Sequence, residues 1–262
     1  MIERKSTPKR ALRIVLLAVC VLILLVAASF APTLFVKTGG MKELKGRYIT
    51  VYYEKEEAVA RDVFALADGQ SERIAKALGF EGPQDIRMYI YDRQSTFQTR
   101  KYGLIALLLN LNWYIGDNRG RDVLLTSPAE SGTAHGYEEI KQAAIHEMVH
   151  AYNSILSKRM PLWINEGLAL YLTNGDPPRN LYSTSNVPSL AQTHTASPLE
   201  FANMGGYHFA HTYIEYLDQT FGWEAVLTLA KTKDPQAAFG MDETRLYEGW
   251  IDFLKENYSA GM

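Results

Sequence analysis

Ala144-Ile145-His146-Glu147-Met148-Val149-His150 contains the pattern H-E-x-x-H. The four-residue step from His146 to His150 turns about 400° on an α-helix, so both imidazoles leave the same face one turn apart. Two ring nitrogens held that way can grip one Zn2+, and Glu147 beside them is a candidate general base. Such a short pattern also arises by chance, so its surroundings decide. From Tyr137 to Leu156 the apolar residues Ile140, Ala144, Met148, Ala151 and Ile155 recur three or four positions apart. That spacing predicts a helix with the motif in its interior.

A catalytic zinc centre needs a third protein ligand and one position left for water. In one arrangement a glycine and a further histidine follow at three and six residues beyond His150. Those positions hold Asn153 and Leu156, so that arrangement fails. The other arrangement takes a glutamate from a following helix. Leu162 to Thr173 (LWINEGLALYLT) reads as such a helix, opened by Pro161 and closed by Asn174-Gly175. The break at Pro161 lets it fold back on the first. Glu166 in this helix has Leu162 and Leu170 four residues to either side, and a carboxylate among such residues is costly to bury unless it is paired or binds a cation. The alternative is a glutamate at the solvent edge of the helix, and the upstream H-E-x-x-H favours the ligand.

Upstream, Arg47 to Glu54 (RYITVYYE) and Asp85 to Tyr91 (DIRMYIY) read as strands flanking a helix from Glu56 to Leu78 with Val59, Val63, Leu66, Ile74 and Leu78 near one side. A short helix is expected from Ser95 to Tyr102. Leu104 to Leu111 is apolar apart from Asn110 and reads as core, with a flap over a cleft as the other reading. Trp113 to Ile115 and Asp122 to Thr126 flank a turn-rich stretch, 116–120, as a hairpin or edge-strand pair. Downstream, 179–197 reads as a surface loop, and Tyr207 to Phe221, Trp223 to Lys231 and Asp242 to Tyr258 as helices. Strands gathered early and helices late predict an α+β fold, with an N-terminal β-sheet carrying helices and a C-terminal helical part.

At the N-terminus, Arg4, Lys5, Lys9, Arg10 and Arg13 face only Glu3, and Ile14 to Val36 follows without a charge. At about 1.5 Å rise per residue that run can cross a hydrocarbon core of about 30 Å. The expected organisation is a cytoplasmic basic segment (1–13), a transmembrane helix (14–36), a linker (37–45) and a folded domain (46–262) outside the membrane. A cleaved signal peptide is the competing reading. Charges at Glu138, Glu139, Lys141, Lys158 and Arg159 exclude a lipid-embedded motif helix. The net charge of −2 gives no basic field for nucleic acid, and the single cysteine, Cys20, leaves no internal disulfide and no thiol nucleophile in the domain.

HEMVH followed by WINEGLALYL, with its glutamate sixteen residues after His150, resembles the gluzincin metallopeptidases. RYITVYYE, the helix after it, DIRMYIYDRQSTF and YHFAHTYIEYLDQTFG are similar to the peptidase MA-like domains of bacterial membrane proteins, over about residues 46–257. The resemblance implies a zincin-like fold in which His146, His150 and Glu166 bind zinc. It also implies that Glu147 activates water for hydrolysis of a peptide or protein substrate. Gluzincins often add a downstream Tyr or His as oxyanion donor. Tyr207, with His211 as second choice, fits that role, and the two lie four apart on one predicted helix. One departure is Leu170, where some gluzincins place an acidic residue that orients a histidine. That departure motivates an alternative: a zinc-stabilised binding or sensor domain without turnover.

Overall fold

An apolar run with no polar face cannot be one side of a soluble core. In the computed structural model it forms helix α1 (Pro8–Ser29), and none of the stretch Leu12–Ser29 is buried against the rest of the chain. Its mean hydropathy of 2.8 and its length make it a candidate membrane span. The described residues are 8–109, 111–173 and 175–259. Residues 1–7 of the basic segment, Asn110 and Asn174 therefore lie outside them. The helix stops at Ser29, short of the expected Val36, because Pro32 lies just beyond and sits in a 3-10 turn over Ala31–Leu34.

The expected linker, 37–45, is not all linker. Its end is strand β1 (Lys42–Lys45), which pairs antiparallel with β2 (Ile49–Tyr53). Lys, Glu and Lys on so short a strand hid it from the sequence pattern, and such charged residues suit an exposed edge. Helix α2 (Glu57–Ala77) then crosses to β3 (Ile86–Tyr91), which runs parallel to β2. The buried stripe of α2 is Ala60, Val63, Ala67, Ser71 and Ile74. Val63, Ile74 and Leu78 are buried as expected and Leu66 packs against the same core, while Val59 is only partly covered and small residues fill the rest of the inner face.

Helix α3 (Gln94–Tyr102) is followed by a 3-10 turn, Leu104–Leu108, in which only Ala106 is buried. The expectation that this apolar segment belongs to the core fails. Strand β4 (Gly116–Arg119) occupies the stretch read as a turn, and β5 (Asp122–Thr126) is as expected. Asp122, Gly120 with its φ of +58 and the β5 register place the tight turn one step later than the glycine and asparagine pattern suggested. The sheet order is β1-β2-β3-β5-β4, with antiparallel pairs at both ends and parallel pairs between.

Alternation along β3 and β5 separates two apolar faces. Met88, Ile90, Val123 and Leu125 join α2 and the motif helix α4 (Tyr137–Leu156) in the first core. Tyr89, Tyr91 and Leu124 pack with Phe97 of α3 on the other face. A second core is all helical. It takes α5 (Leu162–Leu172), the short α6 (Leu181–Thr184) and α8 (Pro198–Asn203), then α9 (Gly206–Phe221), α10 (Trp223–Thr232), α11 (Pro235–Phe239) and α12 (Glu243–Asn257), with α7 (Leu190–Thr193) between α6 and α8 in the chain. The region 179–197 is therefore not simply loop, since α6 and α7 lie within it.

Helix α5 belongs to both cores. Ala169 and Leu172 enter the first, while Trp163, Ile164 and Leu168 enter the second. A β-carbon added to Gly167 would stand 2.6 Å from the carbonyl oxygen of Ala210 and 2.7 Å from Cγ1 of Ile214. Only glycine lets α5 and α9 approach this closely. Gly167→Ala is expected to lower unfolding free energy by about 1–3 kcal/mol, through overpacking against a backbone atom that cannot move aside. Gly69→Ala, on an α2 face with nothing nearby, is expected to gain up to about 1 kcal/mol from helix propensity. Urea denaturation of the two variants at unchanged slope checks the contrast.

Candidate metal centre

Glu138 and Glu139 sit in the first turn of α4, where negative charge complements the helix dipole. The helix runs unbroken to Leu156, and its buried stripe Ile140, Ala144, Met148 and Ala151 fixes its rotation on the sheet. That rotation turns His146 and His150 toward α5. The chain leaves α4 through Arg159, whose φ is +55, and turns at Pro161 to bring α5 back.

The three expected ligands converge. Nε2 of His146 and Nε2 of His150 are 3.0 Å apart. The carboxylate oxygens of Glu166 lie 3.3 Å from the first and 3.4 Å from the second. A tetrahedral ion about 2.0–2.1 Å from nitrogen and oxygen ligands separates neighbouring ligand atoms by about 3.3–3.4 Å. His146, His150 and Glu166 could therefore hold one metal ion.

Burial shapes the charges here. It opposes a charged His150 ring, but Glu166 beside it outweighs this and lifts the pKa to about 9. Burial would likewise raise Glu166, yet His150 and His146 draw its carboxyl well below the usual range. Glu166 is thus held as an anion beside the two ring nitrogens. The Glu147 carboxyl is shifted upward, first by burial and further by the carboxylates of Asp117 and Glu166, against the pull of the two histidines.

Glu147 faces the sheet edge. A β-carbon on Gly116 of β4 would stand 3.0 Å from Cγ of Glu147 and 3.5 Å from its Oε1. The bond from the Thr126 N–H to the Ile115 carbonyl sets the ladder so that the N–H and C=O of Gly116 face outward from that edge. Gly116 is itself buried, so the Glu147 carboxylate packs against a covered stretch of the sheet edge.

Tyr207 and His211 part company. Tyr207 is 43% exposed, with its ring edge-on to Phe201 at 5.0 Å between centroids. Its hydroxyl pKa is raised by burial and then by the charges of Glu166 and Glu147, so it stands within their field. His211 is buried in a different setting, a cleft shared with Arg73, Tyr171, Leu172, Asp176 and Glu215. Burial, opposed by Asp176, lowers its pKa to about 4, and its Nδ1 has no hydrogen-bond partner.

Two residues went unnoticed in the sequence. Asn153 continues the stripe of His146 and His150, and its side chain donates to Oδ1 of Asn165 at 2.9 Å, joining α4 to α5 beside the ligands. A polar residue seven beyond His146 on an apolar helix face was the available signal. Among the described residues no carboxylate bonds Nδ1 of either histidine, as Leu170 had suggested.

No protein-family model matches the chain, and no curated protein matches it.

Loss of the side-chain bond that ties α4 to α5 beside the ligands is expected to weaken binding of a divalent metal about 10- to 100-fold in Asn165→Ala, measured by competition with a chromophoric chelator. His211 makes a separate prediction. The unfolded chain takes up its proton near 6.5 and the folded chain only near 4. Stability is then full above the upper value and falls as pH drops between the two. His211→Leu is expected to flatten that part of the curve of stability against pH, read by urea midpoints.

Proposed function

We propose that the protein is a membrane-tethered zinc-dependent peptidase of gluzincin type with a zincin-like fold. The observation that carries this reading is the convergence of His146, His150 and Glu166 with Glu147 beside them. Zinc held by those three residues would act as a Lewis acid and bring the pKa of a water toward neutrality.

The chain's own groups supply the rest. Glu147 accepts the proton of the attacking water at its carboxylate and passes it to the departing amine. The hydroxyl of Tyr207 donates to the oxyanion that develops at the scissile carbonyl. His211 has no part in this scheme. The substrate is a peptide or protein, the basic N-terminus is cytoplasmic, and the domain lies on the outer side of the membrane.

A second reading, a zinc-stabilised binding or sensor domain, draws support from the missing carboxylate partner on the histidines. The intact Glu147 speaks against it, because a structural metal site needs no general base.

Glu147→Gln separates these readings. It is expected to keep the zinc content of the wild type and to lose at least about 100-fold in cleavage of casein and peptide pools. Cleavage at the wild-type rate by this variant refutes the peptidase assignment. A zinc-loaded wild type that cleaves nothing in a varied peptide library favours the binding domain.

A further inference from the structure

The segment after α3 is apolar and uncovered. Leu108 is 80% exposed, and Leu104, Ile105, Leu107 and Leu109 are each about half exposed or more. Trp113, close behind them, is 58% exposed. A contiguous apolar surface of this kind on a soluble face marks an interaction site.

Its neighbour in space is the exit of α1. A β-carbon on Gly103, where the 3-10 turn begins, would stand 2.6 Å from the carbonyl oxygen of Ser29 and 3.1 Å from Cα of Phe30. Arg100 donates to the carbonyls of Pro32 at 3.3 Å and Phe35 at 3.1 Å. Leu34 and Phe35 in this turn are themselves 75% and 66% exposed. The uncovered leucines therefore continue the apolar surface of α1 where the helix ends.

We propose that Leu104–Leu109, with Trp113, is a second membrane contact, dipping into the lipid leaflet beside α1 and fixing how the domain sits on the bilayer. The sequence of the segment suits lipid. From Arg93 to Gly116 it has no acidic residue, and the nearest carboxylate beyond it, Asp117, is neutralised by Lys101 at 2.7 Å, so nothing in the segment repels phosphate headgroups. Leucines reach about 5–10 Å into the interface in such elements, and a tryptophan beside them belongs at headgroup level. Trp113 lies three residues before Gly116, the residue against Glu147. The candidate metal centre then faces chain segments lying close to the membrane surface, and these form its substrate class. The contact with lipid rests on α1 lying in the bilayer and not on hydrolysis. The substrate class rests in addition on the peptidase reading.

The test uses the full chain carrying Cys20→Ser, reconstituted in phosphatidylcholine and phosphatidylglycerol nanodiscs. A fluorophore is attached at Leu108→Cys or, as an exposed control on α12, at Glu256→Cys. The label at 108 is expected to be quenched several-fold more than the control by lipids with a nitroxide near the headgroup end of the acyl chain, and to be shielded from iodide. Brominated lipid is expected to quench Trp113 in the otherwise wild-type chain, with that quenching lost in Trp113→Phe and reduced by Leu107→Glu with Leu109→Glu. A label at 108 as open to iodide as the control overturns the proposal. So does one shielded from both quenchers, which would place a flap or a second copy over the segment. None of these readouts depends on enzymatic activity.

Discussion

An ionised carboxylate placed among apolar side chains is the constraint on which this structure turns. Glu166 sits on a helix whose other residues are mostly committed to two hydrophobic cores. Its desolvation would cost several kcal/mol without compensation. His146 and His150 supply that compensation only if α4 and α5 hold a fixed register. Removing one partner of such a set leaves a buried charge with nothing to answer it, so the three residues behave as a unit. A bound cation would satisfy all three and couple its affinity to folding.

The register is enforced from both sides of α5. Toward the sheet, Ala169 and Leu172 pack into the first core, and Arg73 of α2 donates to the Leu172 carbonyl at 2.7 Å. Toward the helical half, Gly167 lets α9 press against the backbone. Asn153 and Asn165 tie the same two helices by a side-chain bond one turn from the ligands. Hydrophobic burial supplies most of the free energy. The glycine and the two asparagines decide where one helix stops sliding over the other.

How much of this was legible follows from the range of each interaction. The motif helix, its partner and the trio His146, His150 and Glu166 could be read because helical period and a proline break are local signals. Helix α2 was visible as an element, and Val63, Ile74 and Leu78 are buried as expected; Ala60 and Ala67, which share that face, look neutral until the sheet beneath them is known. Strand β4 was hidden because Asp117, Asn118 and Arg119 have turn-forming or charged side chains, and only pairing with β5 makes them a strand. Tyr207 and His211 are indistinguishable by spacing alone. Packing of α9 against α5 turns the first toward the carboxylates and the second toward Asp176. The exposure of Leu104–Leu109 was the least legible feature, since a leucine run signals burial in general without saying in what.

The junction between α1 and the domain bears on what the centre can reach. A flexible stalk would let the domain sample a wide range of heights above a membrane. Here Tyr91 donates to the Val36 carbonyl at 2.6 Å, Arg100 to those of Pro32 and Phe35, and Arg119 to that of Thr33. These carbonyls follow the last turn of α1, where the helix no longer supplies them with donors. Side chains from β3, α3 and β4 supply donors instead, so the exit of α1 is built into the sheet that carries Gly116. With α1 in a bilayer, the height of Glu147 above the surface would be set by the fold and not by the length of a tether. On the peptidase reading, selection among substrates would then depend on how far a cleavable segment stands from the membrane as well as on the side chains it presents.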